Sequence, residues 1–298
     1  MRRSIAASAG YLLTTMASGL AVANQPQPWQ MGFQPAASPV MERIDDFHNL
    51  LLWISTLITL FVLGLLLYVM WRFNEKRNPT PTKTTHNTLI EVAWTAIPVL
   101  ILLLVFVPSM RLLYYSDRAV DAEMTLKVVG NQWYWSYEYP DHGDISFDST
   151  LTCRTQEECD QEAGGGKKPL RLLDVDNRVV RPVDTTIRIL MTASDVLHNF
   201  AMPSLGLKMD TVPGRINETW TKILRPDVYY GQCSELCGLD HAFMPIAIWA
   251  VSKDAFQKWV ETARAEGIEA AYERLARIED AAPGEREDVA VAQATAVK

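Results

Sequence analysis

The sequence predicts two membrane-spanning helices followed by an all-β domain built as a Greek-key barrel. Two apolar stretches in the first half of the chain are each about 20 residues long, which is enough to cross a bilayer. From Glu123 onward, short runs of β-branched and aromatic residues are divided by Pro, Gly and Asp, a pattern typical of an antiparallel sandwich or barrel. A loop rich in Cys, His and Met precedes the last of these runs, and it favours a barrel that holds a metal beside its final strand.

The composition and the first residues describe an exported, folded protein. The 298 residues are 48% hydrophobic and 21% charged, which excludes a disordered chain. Arg2 and Arg3, a moderately apolar middle and the small residues Ala21-Val22-Ala23 predict a signal peptide over 1–23. The alternative, a third membrane helix, is disfavoured by the Ser and Thr content. Cleavage would change the net charge from −7 to −7 − 2 = −9, an acidic balance that favours a basic protein partner and no nucleic acid.

The predicted helical hairpin covers residues 47–116. Its spans are Leu50–Trp71 and Trp94–Tyr114, and the preceding segment, 24–46, is predicted to be extended because of its four prolines. The loop between the spans has more basic than acidic residues, namely Arg72, Lys76, Arg77 and Lys83 against Glu75. Such an excess marks a cytoplasmic loop, so both ends of the hairpin are expected on the outer side of the membrane.

The predicted β domain covers 117–252, and a C-terminal region, 253–298, follows it. The period-two runs are TLKVV, QWYWSYEY, TTIRILMT, ETWTKI, DVYYGQC and PIAIWAV. A helix over Lys253–Ala265 is expected after its cap Ser252, and the remaining tail is expected to be helical at most in part and mobile.

The metal loop is Gly231–Pro245, GQCSELCGLDHAFMP. It places Cys233, Cys237, His241 and Met244 at spacings of four, four and three, and His198 lies upstream at what reads as the end of a strand. Thiolates, imidazoles and a thioether favour copper, and a late Cys/His/Met loop completed by an earlier His is the ligand order of cupredoxin sites. Taken alone, the residues leave open a disulfide, a structural Cys₂His₂ zinc site and a copper chaperone on a thioredoxin-like fold.

The motif C-S-E-L-C-G-x-x-H-x-x-M resembles the binuclear CuA loop of cytochrome c oxidase subunit II. The resemblance implies that Cys233 and Cys237 bridge two coppers, while His198 and His241 each bind one. Met244 and the backbone carbonyl of Glu235 are then the weak ligands. The resemblance also implies a cupredoxin-like barrel in the periplasm, anchored in a bacterial inner membrane. There it would take electrons from cytochrome c and pass them to subunit I of a proton-translocating oxidase that also contains subunit III.

The same resemblance assigns roles outside the copper loop. Trp133 is where electrons arrive, and the acids that dock cytochrome c are Glu138, Asp148, Asp176 and Asp195. Glu91 marks the entrance of a proton path. Asp210 and Arg215 lie over haem propionates, and the Glu235 carboxylate binds magnesium or manganese shared with subunit I. From the residues alone, Glu91 could be an interfacial acid, Trp133 a strand-packing residue, and Asp210 with Arg215 an ordinary turn pair.

One insertion, Leu151–Pro169, departs from the family pattern, as does Asn131, where several relatives carry His. In an oxidising compartment a Cys153–Cys159 disulfide is favoured over a second metal site. No C-x-x-C-H motif occurs, so no fused cytochrome c domain is expected.

Three rivals share some of these features. A quinol-oxidase subunit would lack the copper ligands, and nitrous oxide reductase would add a large second domain. A free-standing periplasmic copper-binding or copper-delivery protein would need neither the hairpin nor Glu91.

Overall fold

The computed structural model describes residues 24–117, 121–143, 145–163 and 168–280. The predicted signal peptide, the Gly-rich part of the insertion and the tail beyond residue 280 lie outside the described residues.

The first helix, α1 (Pro39–Arg72), starts well before the predicted span. Ser38 is its N-cap and accepts a hydrogen bond from the Met41 amide, and Pro39 occupies the first helical turn, where a missing N–H costs nothing. Proline therefore starts a helix here, and the segment predicted to be extended to residue 46 is helical from Pro39. At 1.5 Å per residue α1 is about 51 Å long, so its polar first part extends beyond a hydrocarbon layer of about 30 Å.

The second helix, α2 (Thr88–Asp117), completes the predicted hairpin. It contains Pro98 and Pro108 and remains one helix, which membrane helices tolerate. Apolar windows in α1 and α2 have mean hydropathies of 2.6 and 2.5, and none of their residues is buried inside the protein. Both helices therefore present the apolar surfaces expected of membrane spans.

The extramembrane domain consists of two packed five-stranded sheets. Their strands are β1 (Met124–Asn131), β2 (Tyr134–Tyr139), β3 (Ile145–Ser149), β4 (Val179–Pro182), β5 (Thr186–Ala193), β6 (His198–Met202), β7 (Leu207–Thr211), β8 (Asn217–Lys222), β9 (Asp227–Cys233) and β10 (Pro245–Val251). The strand orders are β3-β2-β1-β5-β8 and β4-β10-β9-β6-β7, so consecutive strands pair in several places while β1 with β5, β5 with β8, β4 with β10 and β6 with β9 come from distant parts of the sequence. All six predicted runs form strands, and the predicted fold class is confirmed. The four strands that the pattern did not name have only four or five residues each.

Alternation along β2 explains how its aromatic residues divide between core and surface. Trp135, Tyr137 and Tyr139 are buried between the sheets, whereas Ser136 and Glu138 point outward. Because successive side chains of a strand face opposite sides, this one strand supplies both core packing and an outer polar face.

Two helices close the end of the barrel. α4 (Lys253–Glu266) is capped by Ser252 as predicted. The chain then continues as α5 (Ile268–Asp280), whose Ala271, Leu275 and Ile278 are buried in the core that α4 and the sheets share. The region after residue 265 is thus helical as far as Asp280, because its apolar residues recur at helical spacing and have a surface to cover.

Contacts at the outer end of the hairpin join it to the barrel. The Arg43 guanidinium of α1 lies 3.4 Å from the ring centroid of Tyr115 of α2, which joins the two helices to each other at the end next to the barrel. The Trp220 indole donates to the Tyr115 carbonyl at 3.1 Å, and Ser38 Oγ donates to the Leu205 carbonyl at 2.7 Å. Both helices of the hairpin therefore contact the β domain directly.

The insertion contains a short helix, α3 (Gln156–Glu162), whose first turn has a capping box between Thr155 and Glu158. The Cys153–Cys159 disulfide is formed, and both cysteines are buried.

Candidate metal centre

The predicted donors converge where β6, β9 and β10 meet. Cys233 is the last residue of β9, the loop after it carries Cys237 and His241, and Met244 directly precedes β10. His198 is the first residue of β6 and not the end of a strand, as the sequence had suggested. Pairing of Phe200 with Cys233 brings β6 beside β9 and so places His198 next to the loop.

The distances define a compact cluster of sulfur and nitrogen atoms. The two free thiols are 4.0 Å apart (Sγ to Sγ), and the ligand atoms of His198, Cys233 and Cys237 lie within 4.8 Å of one another. Cys237 Sγ is 3.5 Å from both His241 Nδ1 and Met244 Sδ. The Glu235 carbonyl accepts a hydrogen bond from Cys233 Sγ at 3.3 Å. Every predicted copper ligand thus lies at this one site. His198 and the Glu235 carbonyl lie near Cys233, and His241 and Met244 lie near Cys237.

His198 is oriented like a metal-binding imidazole. It is fully buried, and its Nε2 lies 2.9 Å from Asp195 Oδ1. Its Nδ1 is buried with no hydrogen-bond partner among the described residues, and the ring belongs to the cluster with the two thiols. A carboxylate on one ring nitrogen and a free lone pair on the other is the usual arrangement of a metal-ligating histidine.

The two thiols of the cluster differ in pKa. Burial opposes ionisation of Cys233, but the neighbouring His198 imidazole and nearby backbone groups outweigh it and lower the pKa of that thiol. Burial and the neighbouring Cys233 thiolate raise the pKa of Cys237. Metal ligation by cysteine uses the thiolate, so a metal bound between these thiols would favour loss of the proton from both.

The donor set suits copper. Two thiols and a thioether are soft ligands and two imidazoles are borderline, which is a mixture that selects copper over magnesium or calcium. The thiols are free and are not joined in a disulfide, so that alternative does not describe this structure.

Trp133 lies in the turn between β1 and β2, directly against the metal loop. Its indole Nε1 donates to the Cys237 carbonyl at 3.3 Å, and Gln132 Nε2 donates to the same oxygen at 2.9 Å. Gly238 has φ +124°, and a Cβ there would stand 3.0 Å from the Trp133 ring. Only glycine fits this position without a shift, and the indole consequently contacts the loop backbone.

Asp195 joins that turn to the metal cluster. Its Oδ2 accepts from the Gln132 amide at 2.7 Å, while its Oδ1 lies against His198. Burial disfavours its charge, but hydrogen bonds from His198 and from backbone amides lower its pKa overall. Contact with His198, a member of the metal cluster, distinguishes Asp195 from the other acids predicted to dock a partner.

Those other acids are outward-facing. Glu138 on β2 is paired with Lys127, Asp148 is exposed on β3, and Asp176 is exposed in the loop before β4. That loop is held beside β3 by Asn177, whose amide donates to the Asp148 carbonyl at 3.0 Å. The three acids therefore share one region of the surface.

Several residues of the site were not predicted from the sequence. Trp135 is buried beneath the cluster, with its indole donating to the Met244 carbonyl at 3.2 Å and its ring centroid 6.0 Å from that of His198. A Cβ at Gly130 would lie 2.9 Å from His198 Cδ2, so this glycine makes room for the imidazole. A short chain of hydrogen bonds runs from Asn131 to the surface. The side-chain amide of Asn131 donates to Ser136 Oγ, and Ser136 Oγ donates to Asp148. The alternation of residues in QWYWSYEY could have predicted that Trp135 is buried, because every second residue of a strand faces the core.

The remaining predicted residues lie away from the sulfur cluster. Asp210 accepts from Asn199 Nδ2 at 2.6 Å, and Arg215 and the side chain of Glu235 are exposed. Glu91, in the first turn of α2, accepts from the Asn87 amide at 3.1 Å and so caps its own helix.

The family model for the periplasmic domain of cytochrome C oxidase subunit II matches residues 124–251, and the model for its transmembrane domain matches residues 26–112. A probable cytochrome c oxidase subunit 2 of Rickettsia bellii is 56% identical over 243 residues, which is 82% of this chain and 87% of that protein. Subunit 2 of Oenothera berteroana is 48% identical over 247 residues, covering 81% of this chain and 93% of that one.

Among solved structures, the periplasmic domain of subunit II of cytochrome oxidase (CoxB) of Bradyrhizobium japonicum is 50% identical. The match covers 50% of this chain and 99% of that one, with a TM-score of 0.44. Together the two family models match most of the sequence, and close relatives extend over four fifths of it. The chain therefore belongs to the cytochrome c oxidase subunit II family and is part of that oxidoreductase complex.

Proposed function

We propose that this chain accepts electrons from cytochrome c at a binuclear copper (CuA) centre and passes them to the haem groups of subunit I, where oxygen is reduced. The observation that carries the proposal is the cluster around Cys233 and Cys237, with the Trp133 indole hydrogen-bonded to the Cys237 carbonyl. Copper, when bound, would supply one-electron redox chemistry.

The distribution of donors supports two ions and not one. His198 and the Glu235 carbonyl lie toward Cys233, whereas His241 and Met244 lie toward Cys237. A structural zinc site uses four tetrahedral ligands, and this cluster offers six. Two thiolates with a separate pair of donors at either end are the set that two bridged ions require.

The protein holds these donors in place before any electron arrives. Asp195 orients His198, and the Trp135 indole fixes the carbonyl of Met244 from below. Side chains that are already positioned need little rearrangement when the charge of the centre changes, which favours rapid transfer.

Electrons would reach the centre through Trp133. Its indole contacts the backbone of Cys237, so a single hydrogen bond of 3.3 Å separates an aromatic ring near the surface from a ligand residue. Glu138 on β2, Asp148 on β3 and Asp176 in the loop beside β3 would attract a basic cytochrome. Asp195 was included with these acids, but its contacts favour a role within the metal site.

The other roles rest on the family resemblance. We propose a bacterial inner membrane with the copper domain in the periplasm, subunits I and III as partners, and signal cleavage after residue 23. Glu91 would admit protons, Asp210 and Arg215 would contact haem propionates, and Glu235 would bind magnesium or manganese with subunit I. The exposed carboxylate of Glu235 suits such a hard cation.

Electron paramagnetic resonance of the full chain, purified in detergent and loaded with copper, tests the central proposal. One unpaired electron shared by two equivalent coppers should give a seven-line hyperfine pattern, with two coppers bound per chain. Cys237→Ser should lose this pattern, whereas Asp148→Asn, outside the cluster, should keep it. A four-line spectrum, or one zinc per chain, would refute the proposal.

A further inference from the structure

We infer that Arg154, in the disulfide-closed insertion, is a positioning residue for His241 and stabilises that end of the metal centre from outside. The inference rests on the proposed function, because it concerns His241 as a copper ligand. It gives a role to the insertion Leu151–Pro169, which lies outside the copper-loop motif.

Arg154 contacts both ends of the single helical turn that carries His241. Its guanidinium reaches Asp240 with two hydrogen bonds, Nη1 to Oδ1 at 3.5 Å and Nη2 to Oδ2 at 3.3 Å. The guanidinium carbon also lies 4.5 Å from the ring centroid of Phe243. The turn is the 3₁₀ helix His241–Phe243, and the Phe243 amide donates to the Asp240 carbonyl at 2.8 Å. One side chain therefore holds the residues on both sides of His241.

The backbone of Arg154 is itself held in place. Cys153, the preceding residue, forms the disulfide and accepts at its carbonyl from the Leu172 amide at 3.3 Å. The Arg154 amide donates to Glu158 Oε2 at 2.6 Å, and Arg171 Nη1 donates to the Arg154 carbonyl at 3.4 Å. An exposed ion pair contributes little when both side chains must be ordered to form it, and a fixed backbone reduces that cost.

The two ends of the metal cluster differ in how their histidines are supported. His198 is fully buried and is oriented by Asp195. His241 is partly exposed, and among the described residues the hydrogen-bond partner of its ring is Cys237 Sγ. Its position consequently depends on the loop, and the contacts of Arg154 with Asp240 and Phe243 restrain that loop.

The test uses the full chain in detergent, and Arg154→Gln is compared with Arg277→Gln. Arg277 is a matched control, because it forms an exposed ion pair with Glu273 at the same 3.3 Å, on α5. We expect Arg154→Gln to accelerate copper release to a chelator about three- to tenfold, the factor that one exposed ion pair and one cation–π contact together support. The electron paramagnetic resonance spectrum of the copper-loaded chain should change in the features that report the copper bound by His241. In the copper-free chain, hydrogen exchange at the amides of residues 238–244 should accelerate. Arg277→Gln should change none of these.

Three further variants locate the effect. Arg154→Lys keeps the charge but not the two-pronged contact and should fall between wild type and Arg154→Gln. Asp240→Asn should reproduce part of the loss, and the double variant should show less than the sum of the two. Cys153→Ser/Cys159→Ser frees the backbone of Arg154 and should accelerate release and exchange in the same direction while Arg154 is still present.

Equal copper release and equal amide exchange in Arg154→Gln and Arg277→Gln would overturn the inference while leaving the proposed function intact. If the wild-type chain binds no copper pair, the proposed function fails separately. The exchange comparison on the copper-free chain still decides whether Arg154 restrains the loop.

Discussion

Replacing Asp195 should damage the metal centre more than the docking of cytochrome c. The carboxylate accepts a hydrogen bond from the Gln132 amide at 2.7 Å and lies 2.9 Å from His198 Nε2. Asp195→Ala removes both contacts, so the imidazole loses the group that orients it and the turn that carries Trp133 loses its attachment.

The geometry sets the size of the effect. A hydrogen bond to a charged group contributes about 1.5–3 kcal/mol. Because 31% of the Asp195 side chain is exposed, water can replace part of that contribution, and we take the lower end. A loss of about 1.5–2 kcal/mol corresponds to copper binding weakened roughly 10- to 30-fold, within the range of about 10- to 100-fold typical of groups that orient a ligating histidine. Asp195→Asn keeps one acceptor and should lose less.

The assay is competition for copper between the detergent-solubilised chain and a chelator, read by the optical and paramagnetic signals of the bound metal. Asp148→Asn is the control, because it removes an acid of the same surface that is not in contact with the cluster. It should leave copper affinity unchanged and weaken only the association with cytochrome c.

If Asp195→Ala held copper as tightly as Asp148→Asn and altered only the salt dependence of cytochrome binding, Asp195 would be a docking acid. The reasoning from its two short contacts would then be wrong.

The other predictions concern the partner, the loop and the membrane edge. Neutralising Glu138 or Asp148 singly should weaken cytochrome c binding about two- to fivefold and flatten its salt dependence, because exposed charges act over a screening length of about 8 Å at about 0.15 M salt. Stopped-flow mixing with reduced cytochrome c measures this. In the same assay Trp133→Gln should bind nearly normally and slow transfer within the complex, since the indole contact with the Cys237 carbonyl is lost. Met244→Leu should retain both coppers and raise the midpoint potential in a redox titration, because a weak donor is removed. Glu91→Ala and Glu91→Gln should both slow turnover severely at unchanged copper content, although the glutamine can still accept from the Asn87 amide.

Each of these has a clear contrary result. If Trp133→Gln altered only cytochrome c binding, Trp133 would be a docking residue and not the point of electron entry. If neutralising Glu138 or Asp148 altered only electron transfer within the complex, these acids would not be docking residues. Loss of copper in Met244→Leu would make the thioether an essential ligand. Full activity of Glu91→Gln beside an inactive Glu91→Ala would reduce Glu91 to a helix cap.

Much of the fold could be predicted because its signals are local. An apolar stretch of bilayer length and a period-two run each depend on neighbouring residues only, so both spans and six of the strands were identified. The boundaries were less certain, because α1 starts at a proline whose effect depends on its position in the helix. The sequence predicted a tail that is helical at most in part and did not delimit α5, because the apolar residues of this helix become meaningful only once a core surface is available to them.

The candidate site shows the same division. By itself the sequence predicted five of the candidate donor residues in one loop, Cys233 to Met244, because their spacing is a chemical pattern on a continuous segment. Tertiary structure decided how His198 reaches them, through the pairing of β6 with β9. It also decided that Asp195 faces His198, that Trp135 supports the loop, and that Arg154 holds the turn of His241. These contacts join residues far apart in the chain, and a side chain's partners across such distances are set by strand order and packing, which no local pattern records.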